Sequence, residues 1–202
     1  MRVRSLPRND RIYSSNVYFL LGDWSRIDDV NTLVDAGADP AVMGFIDEAP
    51  TGVGKKKVDL VILTHHHYEH TVMLPAIRDA WSPTVAAWGR ASEGVNLTLT
   101  DGQRLHVADD SLEVIHTPAH TDDSICLYSE SSRALFVGDT PVLIHADDHL
   151  YSAEFVDAIA RIAARPIEVI YFGHGDPLTE QCNERLERSL AHLRLAALRG
   201  VR

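Results

Sequence analysis

The segment Val58-Asp-Leu-Val-Ile-Leu-Thr-His-His-His-Tyr-Glu-His70 joins an apolar run to a dense group of potential metal ligands. The run, residues 58–63, predicts a strand that is buried on both faces. The ligand candidates that follow it are His65, His67, Glu69 and His70. Neutral imidazoles and carboxylates are the groups that zinc and similar divalent cations prefer. The segment therefore predicts a metal site at the end of a central strand, the edge where open α/β sheets bind ligands.

Three later segments repeat the pattern of an apolar run followed by a His or an Asp. The runs at 112–116, 134–138 and 167–172 precede His120, Asp139 and His174, respectively. Each run is bounded by Gly or Pro, which favours a turn at that point. Four strand ends that all offer ligand side chains indicate one shared metal centre rather than four unrelated polar turns.

These motifs resemble those of the metallo-β-lactamase superfamily. The family's His-x-His-x-Asp-His, His-Thr-Pro-Gly-His-Thr, Gly-Asp-Thr and Gly-His-Gly motifs are matched by residues 65–70, 116–121, 138–140 and 173–175. An early Asp after a strand is matched by Asp35, and the resemblance spans about residues 16–176. It implies an α+β fold, a four-layer αββα sandwich, that forms a single domain over residues 1–202.

The resemblance also implies a centre for two divalent metal ions, with zinc as the expected metal and iron or manganese as alternatives. One ion would be held by His65, His67 and His120, and the second by Glu69, His70 and His174. Asp139 would lie between the ions, and Asp35 would orient one ligand imidazole. Asp139 and Glu69 are the predicted catalytic residues. Two such ions, about 3.5–4 Å apart, share a water and lower its pKa towards neutrality.

Two residues depart from the family's motifs. Glu69 stands where the family has Asp, and its extra methylene moves the carboxylate by about one carbon–carbon bond, against a ligand distance of about 2.0–2.2 Å. We therefore expect a retreat of the local backbone, a shifted second metal or a weaker second site. Ala119 stands where the family usually has Gly, which is costly only if the backbone there needs a positive φ.

The predicted function is hydrolysis of a small ester, thioester, lactone or phosphoester by a hydroxide that bridges the metals. Two alternatives stay open. One is an iron-dependent redox enzyme of the same fold, similar to persulfide dioxygenases, which the altered ligand Glu69 would favour. The other is a non-catalytic binding module stabilised by metal. His145 and His149 follow Asp139 on a predicted loop and are candidate substrate contacts.

Composition restricts the partners. The net charge of -10 argues against nucleic acid, which proteins usually bind through a basic face. No apolar run approaches the ~18 residues needed to span a bilayer, and charged residues interrupt any export signal near the start of the sequence. We therefore expect a cytoplasmic protein with a small-molecule substrate and no membrane partner. The oligomeric state does not follow from the sequence.

Two further predictions concern local structure. Asp101-Gly102, between short apolar runs within residues 97–107, predicts a β-hairpin. Of the two cysteines, Cys126 lies in an apolar strand pattern and is expected in the core, whereas Cys182 opens the last helix and is expected at the surface.

Overall fold

The computed structural model describes residues 1–9, 11–89, 94–145 and 150–200, which form two β-sheets and five α-helices. The strands are β1 (Arg2–Leu6), β2 (Val17–Leu21), β3 (Thr32–Val34), β4 (Leu60–Ile62), β5 (Thr84–Trp88), β6 (Leu97–Leu99), β7 (Arg104–Val107), β8 (Asp110–His116), β9 (Ile125–Ser129), β10 (Ala134–Gly138) and β11 (Val169–Phe172). The helices are α1 (Ala41–Asp47), α2 (Tyr68–Thr71), α3 (Leu74–Trp81), α4 (Ala153–Ala163) and α5 (Cys182–Gly200).

The order of the strands brings several strand ends to one edge of the molecule. The first sheet has the order β1-β2-β3-β4-β5-β6, and the second has the order β11-β10-β9-β8-β7. Strands β3 to β6 are parallel, as are β10 and β11, so that the residues that follow them leave on a common side. A hydrogen bond of 2.9 Å from Ile125 N to Thr64 O joins the two sheets at this edge.

The main core lies between the sheets. Phe136 of β10 is fully buried there, and its ring is stacked with Tyr171 (centroids 4.7 Å apart) and lies edge-on to Tyr18 (5.6 Å). Helices cover the outer faces: Ile46 and Ile77 pack α1 and α3 against the first sheet, and α4 and α5 pack in the same way against the second. The predicted four-layer αββα sandwich is confirmed.

The predicted hairpin at Asp101-Gly102 is wrong. Strand β6 pairs in parallel with β5 in the first sheet, whereas β7 pairs with β8 in the second, so the turn carries the chain from one sheet to the other. The predicted turn itself does form, since Gln103 N donates a hydrogen bond to Thr100 O (3.1 Å). Pairing with β5 buries Leu99 between the sheets, and this tertiary gain outweighs the local signal.

The prediction for the cysteines is half right. Cys126 is fully buried, as expected, but Cys182 is also buried, because the first turn of α5 packs against the second sheet. Its thiol lies 3.4 Å from each of two carbonyl oxygens, those of Glu168 and Leu178.

Over the ranges that the structure covers, every helix is too short or too polar to cross a lipid bilayer.

We expect Phe136→Ala to lower the free energy of unfolding by about 3–5 kcal/mol, because it leaves a cavity between the two sheets. The measurement is urea unfolding followed by circular dichroism. Leu198→Ala, on a side chain of α5 that is 72% exposed, is the matched control and should change stability by less than about 0.5 kcal/mol. Equal changes in the free energy of unfolding for the two substitutions would show that the contact between the sheets does not stabilise the fold.

Candidate metal centre

The seven predicted ligands meet at the edge where the two sheets join. They form two groups, His65 with His67 and His120, and Glu69 with His70, Asp139 and His174. Within each group the candidate ligand atoms all lie within 4.8 Å of one another. The structure therefore brings together side chains from the ends of β4, β10 and β11, from α2, and from the loop between β8 and β9.

Three imidazoles form the first group. The Nε2 atom of His120 lies 2.9 Å from Nδ1 of His67. The ring centroid of His65 lies 4.7 Å from that of His67 and 4.9 Å from that of His120. His65 is buried, whereas His120 is exposed, so the group opens to solvent on the His120 side.

Asp139 lies between the two groups. Its Oδ1 atom is 3.4 Å from Nε2 of His70, and its Oδ2 atom is 3.3 Å from Nε2 of His174. The same Oδ2 atom is 3.7 Å from Nε2 of His120 in the first group. Glu69 completes the second group, with Oε1 4.0 Å from Nε2 of His174. The longer side chain of Glu69 therefore still places its carboxylate among the second set of ligand atoms.

Asp35 holds one candidate ligand, His70, in position through hydrogen bonds. Its Oδ2 atom accepts hydrogen bonds from Thr64 Oγ1 (2.9 Å) and from Nδ1 of His70 (2.8 Å), and its Oδ1 atom accepts one from Thr64 N (2.8 Å). Since Nδ1 of His70 is engaged, its Nε2 atom is directed at the centre. A carboxylate in this role fixes both the tautomer and the orientation of a metal-binding imidazole.

Buried atoms without partners show that these side chains fit a bound cation. In the described part of the chain, four atoms of the two groups are buried without a hydrogen-bond partner, namely His65 Nε2, His70 Nε2, Asp139 Oδ1 and His174 Nε2. Each such atom costs about 1–3 kcal/mol if it stays unpaired. Imidazole nitrogens and carboxylate oxygens are the donor set of zinc sites. The side chains thus satisfy the requirements of a divalent metal site.

Burial and neighbouring charges shift the pKa values of three side chains at the centre. Burial lowers the pKa of His65 to about 4, so that its ring is neutral and offers a lone pair. Burial also opposes a charge on His70, but the carboxylates of Asp35 and Asp139 outweigh it and raise the pKa of His70 to about 10. For Asp139, burial opposes ionisation, yet the positively charged ring of His70 beside it lowers the pKa of Asp139 to about 2.

Two glycines allow the chain segments to approach the centre closely. Gly138 has a φ of +52°, and a Cβ atom at this position would collide with the side chain of Thr64. A Cβ atom on Gly173 would lie 2.7 Å from Cε1 of His70 and would also collide with Asp139. Both positions therefore favour glycine, because a larger residue would displace Thr64 at the first position and two candidate ligands at the second.

The remaining sequence predictions have mixed outcomes. Ala119 is not among the described residues with a positive φ, so the replacement of Gly costs little there. His145 lines a separate pocket with Arg185 and His192, and none of the seven ligands lines that pocket. The structure therefore does not bring His145 to the centre. His149 lies outside the described residues.

Sequence reasoning missed two residues at the centre. The ring of Tyr13 stacks on that of His174 (centroids 6.0 Å apart, 21° between planes), and the negative charge of Glu69 raises the pKa of Tyr13. Asn16 holds the loop that carries His174: its N donates to Gly173 O (2.7 Å) and its Nδ2 to Phe172 O (2.9 Å). The available signal was a polar run, Ser14-Ser-Asn16, directly before a fully buried strand.

Comparison with known proteins agrees with this geometry. The sequence matches the family described as the metallo-beta-lactamase superfamily over residues 11–87 and 91–174. The probable hydroxyacylglutathione hydrolase of Schizosaccharomyces pombe is 35% identical over 127 residues, which are 61% of this chain and 47% of that protein. The hydroxyacylglutathione hydrolase of Hydrogenovibrio crunogenus is 31% identical over 143 residues, 69% of this chain and 49% of that protein. The chain spans about half the length of these curated relatives.

The crystal structure of the B3 metallo-beta-lactamase BLEG-1 has the same fold, with a TM-score of 0.72 and 20% identity. The alignment covers 95% of this chain and 99% of that one. Because the family match includes all seven candidate ligands and most of the sequence, the assignment does not depend on one motif. The chain belongs to the metallo-β-lactamase superfamily.

Proposed function

We propose that this chain is a metal-dependent hydrolase that cleaves a thioester at a centre for two divalent metal ions, with zinc as the expected metal. The observation that carries the proposal is the set of four buried, unpartnered ligand atoms at the joined edge of the two sheets. The choice of a thioester is supported by the relatives named hydroxyacylglutathione hydrolase. When bound, divalent ions at such a centre supply Lewis acidity that activates a water and a carbonyl group.

The side chains of the chain have separate roles in this proposal. His65, His67 and His120 would hold one ion, and Glu69, His70 and His174 the other. Asp139, in contact with both groups, would hold the two together and accept a hydrogen bond from the attacking water. In the reaction, water adds to the thioester carbon and the carbon–sulfur bond breaks. The sulfur leaves as a thiol with one proton of the water, and the acyl group leaves as a carboxylate after the other proton is released to solvent.

The completeness of the second ligand group favours this function over the iron-dependent redox alternative. Glu69 could have disabled that group, but its carboxylate oxygen lies with the candidate ligand atoms of the other three side chains, all within 4.8 Å of one another. A binding module without catalysis is less well supported, because a purely structural zinc site is normally closed by four protein ligands. Here seven side chains surround one centre that opens to solvent beside His120.

We expect about two divalent ions per chain in protein purified without chelators, measured by elemental analysis. Removal of the ions should abolish thioester hydrolysis and lower the melting temperature, because binding to the folded state alone stabilises it. Added zinc should restore both. One iron per chain with uptake of oxygen would instead support the redox enzyme. Stabilising metal with no turnover on a panel of esters and thioesters would support the binding module.

We expect Glu69→Gln to lower the metal content from about two ions to about one, because the amide keeps the size of the side chain but removes a charged ligand. The first group, which lacks Glu69, should keep its ion. Glu184→Gln, at an exposed ion pair with Arg188 on α5, is the control for loss of one negative charge. Retention of both ions by the Glu69 variant would exclude this residue as a ligand.

We expect Asp35→Asn to weaken metal binding by about tenfold to a hundredfold, because the amide keeps one acceptor oxygen and can no longer accept hydrogen bonds from both Thr64 N and His70. Competition with a coloured chelator measures the affinity. Asp79→Asn, on the exposed side of α3, removes the same charge away from the centre. An unchanged affinity in the Asp35 variant would mean that the position of His70 is set by packing alone.

A further inference from the structure

A second pocket of about 340 Å³ lies beside the metal centre and shares His174 with it. The loop between β1 and β2 forms this pocket, through residues 8, 9 and 11–14. Its lining includes two arginines and, within the part of the chain that the structure describes, no carboxylate. A substrate at the candidate metal centre would therefore have a neighbouring cavity lined by positive charge.

Hydrogen bonds hold the described residues of this loop at three points. Asn9 Nδ2 donates to Asp39 Oδ2 (2.8 Å), and Ile12 N donates to Asn9 O in a tight turn (3.1 Å). The Oγ atom of Ser14 accepts a hydrogen bond from Ala38 N (2.9 Å). Two of these bonds tie the loop to the segment between β3 and α1, and such contacts order the loop independently of a ligand.

The guanidinium group of Arg11 is available to bind an anion. Its side chain is exposed and makes no hydrogen bond or ion pair with the described residues, and it lines the pocket. The segment Arg8-Asn-Asp-Arg11 carries two arginines and one aspartate, in a chain whose net charge is -10. A guanidinium group binds a carboxylate through two parallel hydrogen bonds, which gives both strength and orientation.

Tyr13 connects this charge to the metal centre. Its side chain is 72% exposed, yet its ring stacks on His174, which lines both the pocket and the centre. A flat aromatic face in this position supports an apolar or amide linker along its surface. The lining thus runs from a cation at Arg11, across the ring of Tyr13, to the ligand His174.

We propose that this pocket binds a carboxylate of the substrate through Arg11, at a distance from the bond that is cleaved. The inference rests on the proposed function, because it assigns the charge of the thioester substrate. It makes the enzyme selective for anionic thioesters. In this proposal the residues of the metal centre would hold the ions beside the carbonyl group, and the loop between β1 and β2 would bind the far end of the molecule.

The test compares two thioesters that differ only in charge, N,S-diacetylcysteine and its carboxamide. A second pair places one glycine between the cysteine and the terminal group, so that a longer reach is also covered. We expect the wild-type protein to have a higher kcat/KM for each acid than for its amide. Arg11→Gln should lower this ratio about five- to tenfold, as expected for a partly exposed charged hydrogen bond. Arg194→Gln, on the exposed side of α5, is the matched control and should leave the ratio within about twofold.

A binding measurement separates this proposal from the proposed function. Isothermal titration calorimetry of the metal-loaded protein uses N-acetyl-S-methylcysteine, a thioether that cannot be hydrolysed, and its amide. Tighter binding of the acid that is lost in the Arg11 variant supports the pocket even if no thioester is turned over, which would refute only the hydrolase. Thioester turnover with equal preference for acid and amide in wild-type and Arg11→Gln protein would overturn the pocket and leave the hydrolase standing.

Discussion

The buried carboxylate of Asp35 is the constraint on which the rest of the centre depends. Asp35 is only 2% exposed and has a φ of +62°, a conformation that is uncommon outside glycine. From this position it accepts hydrogen bonds from two atoms of Thr64 and from His70, while its own N donates to Ile62 O at 2.9 Å. One side chain therefore ties the ends of β3 and β4 to α2, and a burial cost that would otherwise destabilise the fold is offset by three hydrogen bonds.

The same junction explains why the two sheets must meet so closely. Thr64 contacts Asp35 in the first sheet's loops, accepts the hydrogen bond from Ile125 of the second sheet, and leaves no room for a Cβ atom on Gly138. Small shifts between the sheets would therefore move Asp139 relative to the histidines. Close packing of the inter-sheet core around Phe136 opposes such shifts, because dense protein interiors resist compression and sliding. The packing that stabilises the sandwich therefore also fixes the positions of the candidate ligands.

The sequence predicted the architecture, and the side chains that it nominated as ligands lie together, because both outcomes depend on local signals that the fold keeps. Apolar runs became strands, and the side chains just after them met at one edge. The hairpin at Asp101-Gly102 was predicted wrongly, because a turn signal contains no information on which sheet each flanking strand joins. Cys182 was wrongly predicted at the surface, because the position of a residue in the first turn of a helix does not show whether that turn packs against a sheet. Tyr13 could not be assigned to the centre, since its contact with His174 joins residues that are far apart in sequence.

The positions of the ligands along the chain also set an order of events during synthesis. His65, His67 and His120 of the first group are all made before Asp139 and His174. At about 5–20 residues per second, the ribosome needs roughly 3–10 s to travel from His120 to His174. The parallel pairing of β11 with β10, which positions the loop of His174, forms only after that interval. A nascent chain therefore contains all three histidines of the first group before Asp139 and His174 of the second group have been translated.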